Sequence, residues 1–479
     1  MSDLFLSRFL LSRSAQVLIA ALLLTTGVAA QAGPLTLKVD TRHVVREGAD
    51  RFVGINLNYL RDLDANRPRA RPLNAALADM GARWLRYPGG EKSDFYRWAE
   101  PPYSRPLPVS LGWYSGVKGQ RMDFDQYMAC THRVGAEAYI VVGYNTEKAS
   151  GLTETQWLES AAAWVKYANK VKKYGVKYWE IGNENWNNDK GTPEEMARIV
   201  TAFSHAMKAV DPTIKIGASG NSENWWKRFL PTAASSLDFL TLSVYNCWGW
   251  KGYDHFASHP DENTVRDVDV ALAAIGRDAP AADRARLRVI VAETNSKDYS
   301  ENGWPGTNTL GHTLVTFDTL GQMMARPNVL CAMVWTTRWI SDAQAAHSQW
   351  YGLGPTNALL PTGRAVALWG QFIQKKMVEV TGGNAQISGY ASCSEDGKSL
   401  SIWIVNRSYQ PVNSLRIEID SSHDFSVAGS YCLSGTGPED AEPNWGRAVK
   451  PSILGNHLTG LSSPAVSVTV ITLHVKPNP

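Results

Sequence analysis

Residues 50 to 375 alternate between short runs rich in β-branched or aromatic side chains and longer segments with helical periodicity. Such alternation is typical of repeated βα units, which build a parallel sheet covered by helices. The runs that we interpret as strands are Phe52–Asn56, Trp84–Tyr87, Ala138–Gly143, Tyr178–Gly182, Lys215–Ala218, Phe239–Tyr245, Val289–Glu293 and Leu330–Trp335. Eight units over about 325 residues predict an α/β fold, a (β/α)8 TIM barrel with some long loops.

The segments between these strands are consistent with a barrel. Glu154–Tyr174 and Pro193–Val210 show the helical period that βα units require. An open, doubly wound sheet is the competing architecture, and it would carry a glycine-rich dinucleotide-binding turn after its first strand. No such turn follows Asn56. We therefore favour the closed barrel.

The pattern changes after about residue 375, where helical periodicity gives way to short alternating segments. These segments are Ser399–Asn406, Ser414–Ile419, Val427–Leu433 and Ala465–Val475. They predict an all-β sandwich in residues 376–479, following the barrel in residues 49–375. The early segment Leu35–Val45 also alternates, so we expect residues 33–48 to supply a strand to the sandwich.

The first 32 residues have the pattern of an export signal. Arg8 and Arg13 precede the apolar stretch Val17–Leu24, and Ala30-Gln31-Ala32 follows as a cleavage site. A membrane anchor is the alternative, but it needs about 20 apolar residues. We expect residues 1–32 to be a signal peptide, and the mature protein to be secreted or periplasmic with no membrane attachment.

Charge and cysteine content exclude several classes of partner. With 48 Lys and Arg against 45 Asp and Glu, the balance gives no reason to expect nucleic acid. The five cysteines form no C-x-x-C motif or Cys/His cluster, so we expect neither a metal site nor another cofactor. In an oxidising compartment Cys393 and Cys432 can pair, although unpaired buried cysteines are also common. The sequence leaves that pairing and the oligomeric state open.

Two glutamates lie where the active sites of such barrels form, at the C-terminal ends of the strands. The fourth strand continues into YWEIGNENW, residues 178–186, and the seventh reads VIVAETN, residues 289–295. Glu184 and Glu293 each follow an apolar or aromatic run at the barrel rim. Because strands four and seven face each other across a barrel, we expect these two side chains to meet. Glu180, deeper in its strand, is interpreted as a hydrogen-bonded group of the barrel interior.

A pair of carboxyl groups about 5 Å apart is what retaining cleavage of a glycosidic bond requires. One group protonates the leaving oxygen, and the other attacks the anomeric carbon. Two carboxylates at this separation do not both ionise easily, so the pKa of the acid should rise while hydrogen bonds keep its partner charged. Eighteen Trp and eighteen Tyr residues add aromatic faces suited to sugar rings. The pattern predicts a carbohydrate substrate.

The sequence resembles glycoside hydrolase clan A in Gly182-Asn183-Glu184 after the fourth strand and in Glu293 after the seventh. Within the clan, YWEIGNENW and the LRYPGG segment at residues 85–90 are most similar to the family 51 α-L-arabinofuranosidases. The segment SVTVITL, residues 467–473, is similar to the last strand of their β-sandwich. This resemblance covers nearly the whole mature chain and implies a retaining glycosidase of the arabinofuranosidase type.

The resemblance also implies roles for single residues. Glu184 would be the acid/base and Glu293 the nucleophile, while Asn183 would bind the sugar hydroxyl next to the reacting carbon. Arg86 and Tyr245 would support the nucleophile, because a cation and a phenol that donate to a carboxylate keep it ionised and oriented. Strand alternation alone places residues 183 and 184 on opposite faces, so both reach the site only if the strand ends there.

Two positions depart from the family pattern. The usual Glu after the first strand is replaced by Asn56 and Asn58, and the usual His two residues before the strand-six Tyr is replaced by Ser243. An endo-glycanase or a β-xylosidase-like enzyme of the clan, acting on another pentoside or a hexoside, therefore stays open. From a different class, a carbohydrate-binding barrel without turnover is a further alternative, although it has no need of a close carboxylate pair.

Several tryptophans fall in or near loops at the strand ends, where they can stack on sugar rings. They are Trp186, Trp248, Trp250, Trp335 and Trp339. The predicted substrate-binding set consists of Asn183, Arg86, Tyr245, Trp186, Trp248 and Trp335.

Overall fold

The computed structural model describes residues 34–144, 152–187, 191–245, 252–296, 308–340 and 351–476. Within them, eight parallel strands close into a barrel in which neighbours in the sequence pair and the last strand pairs with the first. In chain order the strands are Val53–Asn56, Trp84–Tyr87, Glu137–Val142, Tyr178–Ile181, Lys215–Ser219, Phe239–Tyr245, Arg288–Asn295 and Val329–Val334. The predicted barrel is confirmed, and the strand ends differ from those predicted by at most two residues.

Helices alternate with these strands and pack on the outside of the barrel. The α-helices of the described residues are Leu73–Met80, Phe124–Val134, Glu154–Val165, Pro193–Val210, Glu223–Ala233, Tyr253–Ser258, Arg266–Asp278, Ala281–Arg284, Leu310–Met324 and Pro361–Gly370. Pro193–Val210 has the predicted bounds. Glu154–Val165 begins with a capping box on Thr153 and then continues as the π-helical turn Lys166–Val171, so the predicted longer helix changes its type part-way.

The barrel interior is filled by the inward-facing side chains of alternate strand positions. One apolar and aromatic cluster there consists of Trp84, Tyr139, Val141, Phe239, Ile290, Ala292, Cys331 and Met333. Two positions beyond Trp84, Arg86 points into the same interior and meets Glu180 of the fourth strand. The interior therefore turns polar toward the C-terminal ends of the strands.

A second, largely antiparallel sheet surrounds its own apolar core. In order across this sheet, the strands are Asn444–Arg447, Phe425–Ser434, Ser467–Val475, Ser399–Asn406, Ile387–Cys393, Lys376–Gly382, Leu35–Glu47, Val412–Asp420, His457–Ser463 and Ser452–Leu454. Leu35–Glu47 runs antiparallel to Lys376–Gly382 and parallel to Val412–Asp420. A short pair, Tyr96–Arg97 with Val109–Ser110, lies apart from both sheets. The predicted C-terminal β-structure is confirmed.

Polar and aromatic contacts join this sheet to the barrel helices. Tyr390 donates through Oη to the carboxylate of Asp318 at 2.7 Å, and Nη2 of Arg407 lies 3.4 Å from the same carboxylate. The rings of Trp403 and Trp369 are in contact, with centroids 4.7 Å apart and planes tilted by 40°. Because Asp318 and Arg407 are both buried, their pairing keeps two charges satisfied where water cannot reach them.

The two cysteines considered for a disulfide are free thiols. Cys393 and Cys432 lie on strands that are separated by two others in the sheet. Neighbouring strands are about 4.8 Å apart, so this gap exceeds the Cα separation of about 6 Å that a disulfide spans. Burial raises the pKa of both thiols, as expected for packed side chains.

Some predicted features fall outside the described residues, namely the signal peptide at 1–32 and the tryptophans Trp248 and Trp250. In the part of the chain that the structure describes, no helix combines the length and apolar character needed to span a membrane. The same part contains no group of three or more His, Cys, Asp or Glu side chains that could hold a metal ion.

Candidate active site

Arg86 connects the ends of four barrel strands. Its buried guanidinium donates to Oε2 of Glu180 from Nε at 3.1 Å and from Nη2 at 2.8 Å. Nη1 donates to Oε1 of Glu293 at 2.6 Å and to Oδ1 of Asn56 at 3.0 Å, and Nη2 donates to Oδ1 of Asn183 at 2.8 Å. Burial alone would lower the pKa of Arg86, but the carboxylates of Glu180 and Glu293 outweigh it and raise the pKa. The guanidinium therefore stays charged.

Glu293 has a hydrogen-bond donor on each carboxylate oxygen. Oε1 accepts from Arg86, and Oε2 accepts from Oη of Tyr245 at 2.8 Å. Hydrogen bonds of this kind favour the ionised form of a carboxylate. Glu293 is 4% exposed, so its charge lies in a pocket largely removed from bulk water. The structure thus brings Arg86 and Tyr245 together on the carboxylate that the sequence singled out.

A β-bulge turns Glu293 toward the barrel interior. Ile290 and Ala292 face the interior, so regular alternation would turn residue 293 outward. The pairing of the seventh strand with the sixth shifts its register between Val291 and Glu293, and bulges re-aim a side chain in this way. The carbonyl of Ala292 accepts from Nδ2 of Asn56 at 2.8 Å, which fixes the bulged backbone.

A left-handed turn follows the fourth strand and separates Asn183 from Glu184. The strand ends at Ile181, and Gly182 and Glu184 have φ angles of 70° and 42°. A Cβ on Gly182 would lie 2.0 Å from Oδ1 of Asn185, so this position requires glycine. The chain therefore bends directly after the strand, at Gly182. A bend here is what the sequence analysis required for residues 183 and 184 both to face the site.

The two side chains of this turn have different surroundings. Asn183 is buried, and its Oδ1 accepts from Arg86. Glu184 is half-buried and accepts from Nδ2 of Asn187 at 3.4 Å. A left-handed φ at a residue other than glycine stores backbone strain, and such residues concentrate at functional sites. The turn thus places Asn183 against the guanidinium of Arg86 and leaves the side chain of Glu184 half-buried.

The predicted tryptophans differ in where they lie. Trp335 is 5% exposed, and a Cβ on Gly90 would come within 2.1 Å of its ring and 3.2 Å of Oε1 of Glu293. Trp335 therefore borders the same space as Glu293. Trp339 is half-buried, with its ring centroid 5.5 Å from that of Trp335. Trp186 is half-buried and packs against the outer core of the barrel.

Three polar side chains belong to the site although they were not predicted as site residues. Asn56 bridges the guanidinium and the bulge, and Thr241 donates through Oγ1 to Oε1 of Glu180 at 2.7 Å. Lys92 is fully buried in the 3-10 helix Gly90–Phe95. Asn56 ends its strand and Thr241 lies two positions beyond the inward-facing Phe239, so strand alternation is a signal that could have identified both. Nothing in the sequence around Lys92 distinguishes it from a solvated loop residue. The interpretation of Glu180 as an interior hydrogen-bonded group is confirmed.

A closed barrel with a β-sandwich and glutamates at the ends of the fourth and seventh strands is the arrangement expected of glycoside hydrolase clan A. A family model described as the alpha-L-arabinofuranosidase 1 domain matches residues 76–246. The intracellular exo-α-(1→5)-L-arabinofuranosidase of Bifidobacterium longum is 27% identical over 227 residues, which cover 43% of this chain and 40% of the relative. The α-L-arabinofuranosidase C of Emericella nidulans is 28% identical over 188 residues, 35% of this chain and 33% of the relative. The chain thus matches less than half the length of these relatives.

Solved structures resemble the chain over most of its length. The α-L-arabinofuranosidase of Thermotoga maritima, solved as an arabinose complex, has a TM-score of 0.71 at 21% identity and covers 92% of this chain and 100% of its own. The family 51 enzyme of Thermotoga petrophila RKU-1 has a TM-score of 0.69 at 20% identity and covers 91% and 99%. These likenesses show the fold. With the sequence matches, they confirm that the chain is similar to the family 51 α-L-arabinofuranosidases.

The predicted secreted or periplasmic location is wrong. Both the relative from Bifidobacterium longum and one from Bacteroides ovatus, which is 26% identical over 200 residues, are named intracellular exo-arabinofuranosidases. The prediction depended on the apolar stretch Val17–Leu24 between two arginines and a small-residue site. Such a short compositional pattern has little specificity, and it lies in residues 1–33, outside the described part of the chain.

Proposed function

We propose that this protein is a retaining glycoside hydrolase of the α-L-arabinofuranosidase type, with Glu293 as its nucleophile and Glu184 as its acid/base. The observation that carries the proposal is the buried carboxylate of Glu293, which is held by Arg86 on one oxygen and by Tyr245 on the other. A carboxylate fixed by two donors at the end of a barrel strand is ionised and oriented for attack. The similarity to arabinofuranosidases supports the same conclusion.

The reaction would proceed in two displacements. In the first, Glu184 protonates the leaving oxygen while Oε1 or Oε2 of Glu293 attacks the anomeric carbon and forms a covalent glycosyl ester. In the second, Glu184 removes a proton from water, which attacks the anomeric carbon and releases Glu293. Oδ1 of Asn183 accepts from Arg86, so the NH2 group of this amide is turned away from the guanidinium. In that orientation the NH2 group can donate to the sugar hydroxyl beside the reacting carbon.

The substrate class we propose is an oligosaccharide or polysaccharide with terminal L-arabinofuranosyl groups. The curated relatives are named for this sugar, and one is named as an exo-acting enzyme on α-(1→5) linkages. Asn56 stands where the family usually has Glu, so the subsite around the sugar differs from the family pattern. A panel of nitrophenyl glycosides should therefore include β-D-xylosides and β-D-glucosides as well, and an endo-acting enzyme would release long products from hemicellulose instead.

We expect Glu293→Ala to lower kcat by at least about 10⁴-fold, since the attacking group is lost. The matched control is Glu194→Ala, which removes an exposed carboxylate paired with Arg228 and should leave kcat unchanged.

Proton NMR of the first-formed product should show the retained anomer in the wild type. In Glu184→Ala, azide should restore turnover by forming a glycosyl azide. Release of nitrophenol at the wild-type rate by Glu293→Ala, or an inverted first product from the wild type, would contradict the proposal.

We also propose that the chain is organised as a catalytic barrel, residues 49–375, and a β-sandwich built from residues 33–48 and 376–479. Support comes from the pairing of Leu35–Glu47 with Lys376–Gly382 and from the apolar core that their sheet encloses. Limited proteolysis should leave these two segments together, because the N-terminal strand is hydrogen-bonded inside the sheet on both of its edges.

A further inference from the structure

Lys92 is a cation buried between the rings of Trp335 and Trp339. It lies in the short helix Gly90–Phe95 that follows the second barrel strand, and its side chain is 0% exposed. Among the described residues, no acceptor lies within hydrogen-bond distance of its Nζ. An ammonium group that has lost its water and gained no acceptor destabilises a folded protein, so such a group requires an explanation.

The ammonium occupies a corner between two indole rings. Nζ lies 4.4 Å from the ring centroid of Trp335 and 4.4 Å from that of Trp339, and the two ring planes meet at 57°. Each ring attracts the cation through its π face. An ammonium has three N–H donors, so two rings leave at least one donor for an oxygen acceptor.

The carboxylates near Lys92 are already engaged with other donors. Both oxygens of Glu293 accept from Arg86 and Tyr245. Asp62 accepts from Oγ1 of Thr337 at 2.6 Å and also forms a buried ion pair with Arg338. Neither carboxylate bonds to Lys92, although both attract it through space. The acceptor for the remaining donor must therefore come from outside this cluster.

Lys92 belongs to the space in which Glu293 would react. Trp335, which borders Lys92, also borders Glu293 across Gly90, where a Cβ would lie 2.1 Å from the ring and 3.2 Å from Oε1. Glu293 is itself only 4% exposed, so the space that a sugar would enter to reach its carboxylate is lined by buried side chains. A sugar unit positioned for attack by Glu293 would bring its oxygen atoms into this corner.

We propose that Lys92 is a sugar-binding residue whose ammonium donates a hydrogen bond to a hydroxyl or ring oxygen of the sugar unit attacked by Glu293, in the corner formed by Trp335 and Trp339. This inference rests on the proposed function and names a specificity residue for it. The charged groups facing Lys92 are Glu293, Asp62, Glu91 and Arg86.

Protonation of Lys92 gives the proposal a specific signature. Burial lowers the pKa of Lys92 to about 7, even though Glu293 and Asp62 act to raise it. A hydrogen bond from the ammonium to a sugar oxygen favours the charged form and raises this pKa. At about pH 8, above this pKa, sugar binding should therefore be accompanied by proton uptake.

The test compares Lys92→Met, Lys92→Arg and the wild type. Lys92→Met keeps a side chain of similar length without the charge, and Lys92→Arg restores a cation. The matched control is Lys227→Met, at an exposed position on the helix Glu223–Ala233. Proton uptake on mixing with saturating L-arabinose, D-xylose or D-glucose is measured with an indicator dye in weak buffer. KM and kcat are measured with the nitrophenyl glycoside that the wild type hydrolyses fastest.

We expect proton uptake in the wild type and in Lys227→Met, but none in Lys92→Met. Lys92→Met should raise KM by about 10- to 100-fold with a smaller change in kcat, and Lys92→Arg should recover part of the loss. The proposal is overturned if Lys92→Met leaves KM and proton uptake unchanged, if it lowers kcat alone, or if the wild type binds none of the sugars. A wild type that takes up a proton with a sugar but hydrolyses no glycoside would refute the proposed function and leave the role of Lys92 intact.

Discussion

Arg86 and Lys92 are two buried cations at the mouth of one barrel, and they differ in their partners. The guanidinium of Arg86 donates to Glu180, Glu293 and two amide oxygens, and its pKa is raised. The ammonium of Lys92 contacts two aromatic rings and has no acceptor in the part of the chain that the structure describes, and burial lowers its pKa to about 7. Both side chains are removed from water, so burial alone does not account for the difference.

Hydrogen-bond partners decide whether a buried charge stabilises or destabilises the folded protein. Glu293 attracts both cations, but only Arg86 bonds to it directly, at 2.6 Å. A cation whose donors are all used holds the site together, because its removal would leave carboxylates buried and unpaired. A cation with a donor to spare carries an energetic cost that a ligand can remove. Three predictions test this contrast, from the largest expected effect to the smallest.

Replacing Arg86 with Met should have the largest effect. Glu180 and Glu293 would remain buried without their cation, so we expect the free energy of unfolding to fall by about 3–5 kcal/mol. Urea denaturation at neutral pH measures this loss. The matched control is Arg228→Met, which breaks an exposed ion pair with Glu194 and should cost less than about 1 kcal/mol. Equal losses in the two variants would mean that the buried network contributes no more than a surface pair.

Replacing Lys92 with Met should stabilise the protein in a pH-dependent way. Below pH 7 both the folded and the unfolded chain hold the proton on Lys92, and the folded state carries the full cost of burying the charge. As pH rises from 7 toward the ordinary value of 10.5, the folded state has lost that proton while the unfolded state still binds it, so wild-type stability increases. The gain from Lys92→Met should be at most about 5 kcal/mol below pH 7, since one pKa unit corresponds to about 1.4 kcal/mol, and it should shrink as the pH rises toward 10.5.

Thermal or urea unfolding of the wild type and Lys92→Met at several pH values checks this prediction. Lys227→Met serves again as the control, since its side chain is exposed and should give a difference that does not change with pH. A Lys92→Met variant that is less stable than the wild type below pH 7 would show that the ammonium is stabilised in the free protein, which would contradict the contrast with Arg86.

Replacing Thr241 with Val should have the smallest effect. Its hydroxyl donates to Oε1 of Glu180 at 2.7 Å, so Val would leave one oxygen of a buried carboxylate unsatisfied while Arg86 still holds the other. We expect a loss of about 1–3 kcal/mol in the free energy of unfolding. Thr201→Val, which removes a hydroxyl bonded to a helix carbonyl, is the matched control. A loss no greater than in that control would show that the guanidinium alone satisfies Glu180.

Much of the fold could be predicted because strand and helix periodicities are local. The barrel strands Trp84–Tyr87 and Phe239–Tyr245 have their predicted bounds, and the β-structure after the barrel is where alternation placed it. Short strands such as Asn444–Arg447 and Ser452–Leu454 were not predicted, because they carry too few residues to show a period. The location inferred from the N-terminal residues was wrong, because it depended on the composition of one short segment, which has little specificity.

The site was predictable only in part. Glu184 and Glu293 could be singled out as carboxylates at the ends of apolar or aromatic runs, whereas Arg86 was named only through the resemblance to family 51. The register shift between Val291 and Glu293 could not, because a bulge is defined by the pairing of two strands and not by the sequence of either one. Lys92 could not be recognised either, because a lysine in a loop is usually solvated and only its surroundings show that this one is not.

By itself, the sequence determined the order of the elements, their approximate ends and the chemical groups placed at the strand ends, since periodicity and turn chemistry act over a few residues. Only the tertiary structure decided which charges have partners. Electrostatic and hydrogen-bond energies depend on distances between groups that are far apart in the chain, as Arg86 and Glu293 are. Those distances exist only once the eight strands have closed into a ring.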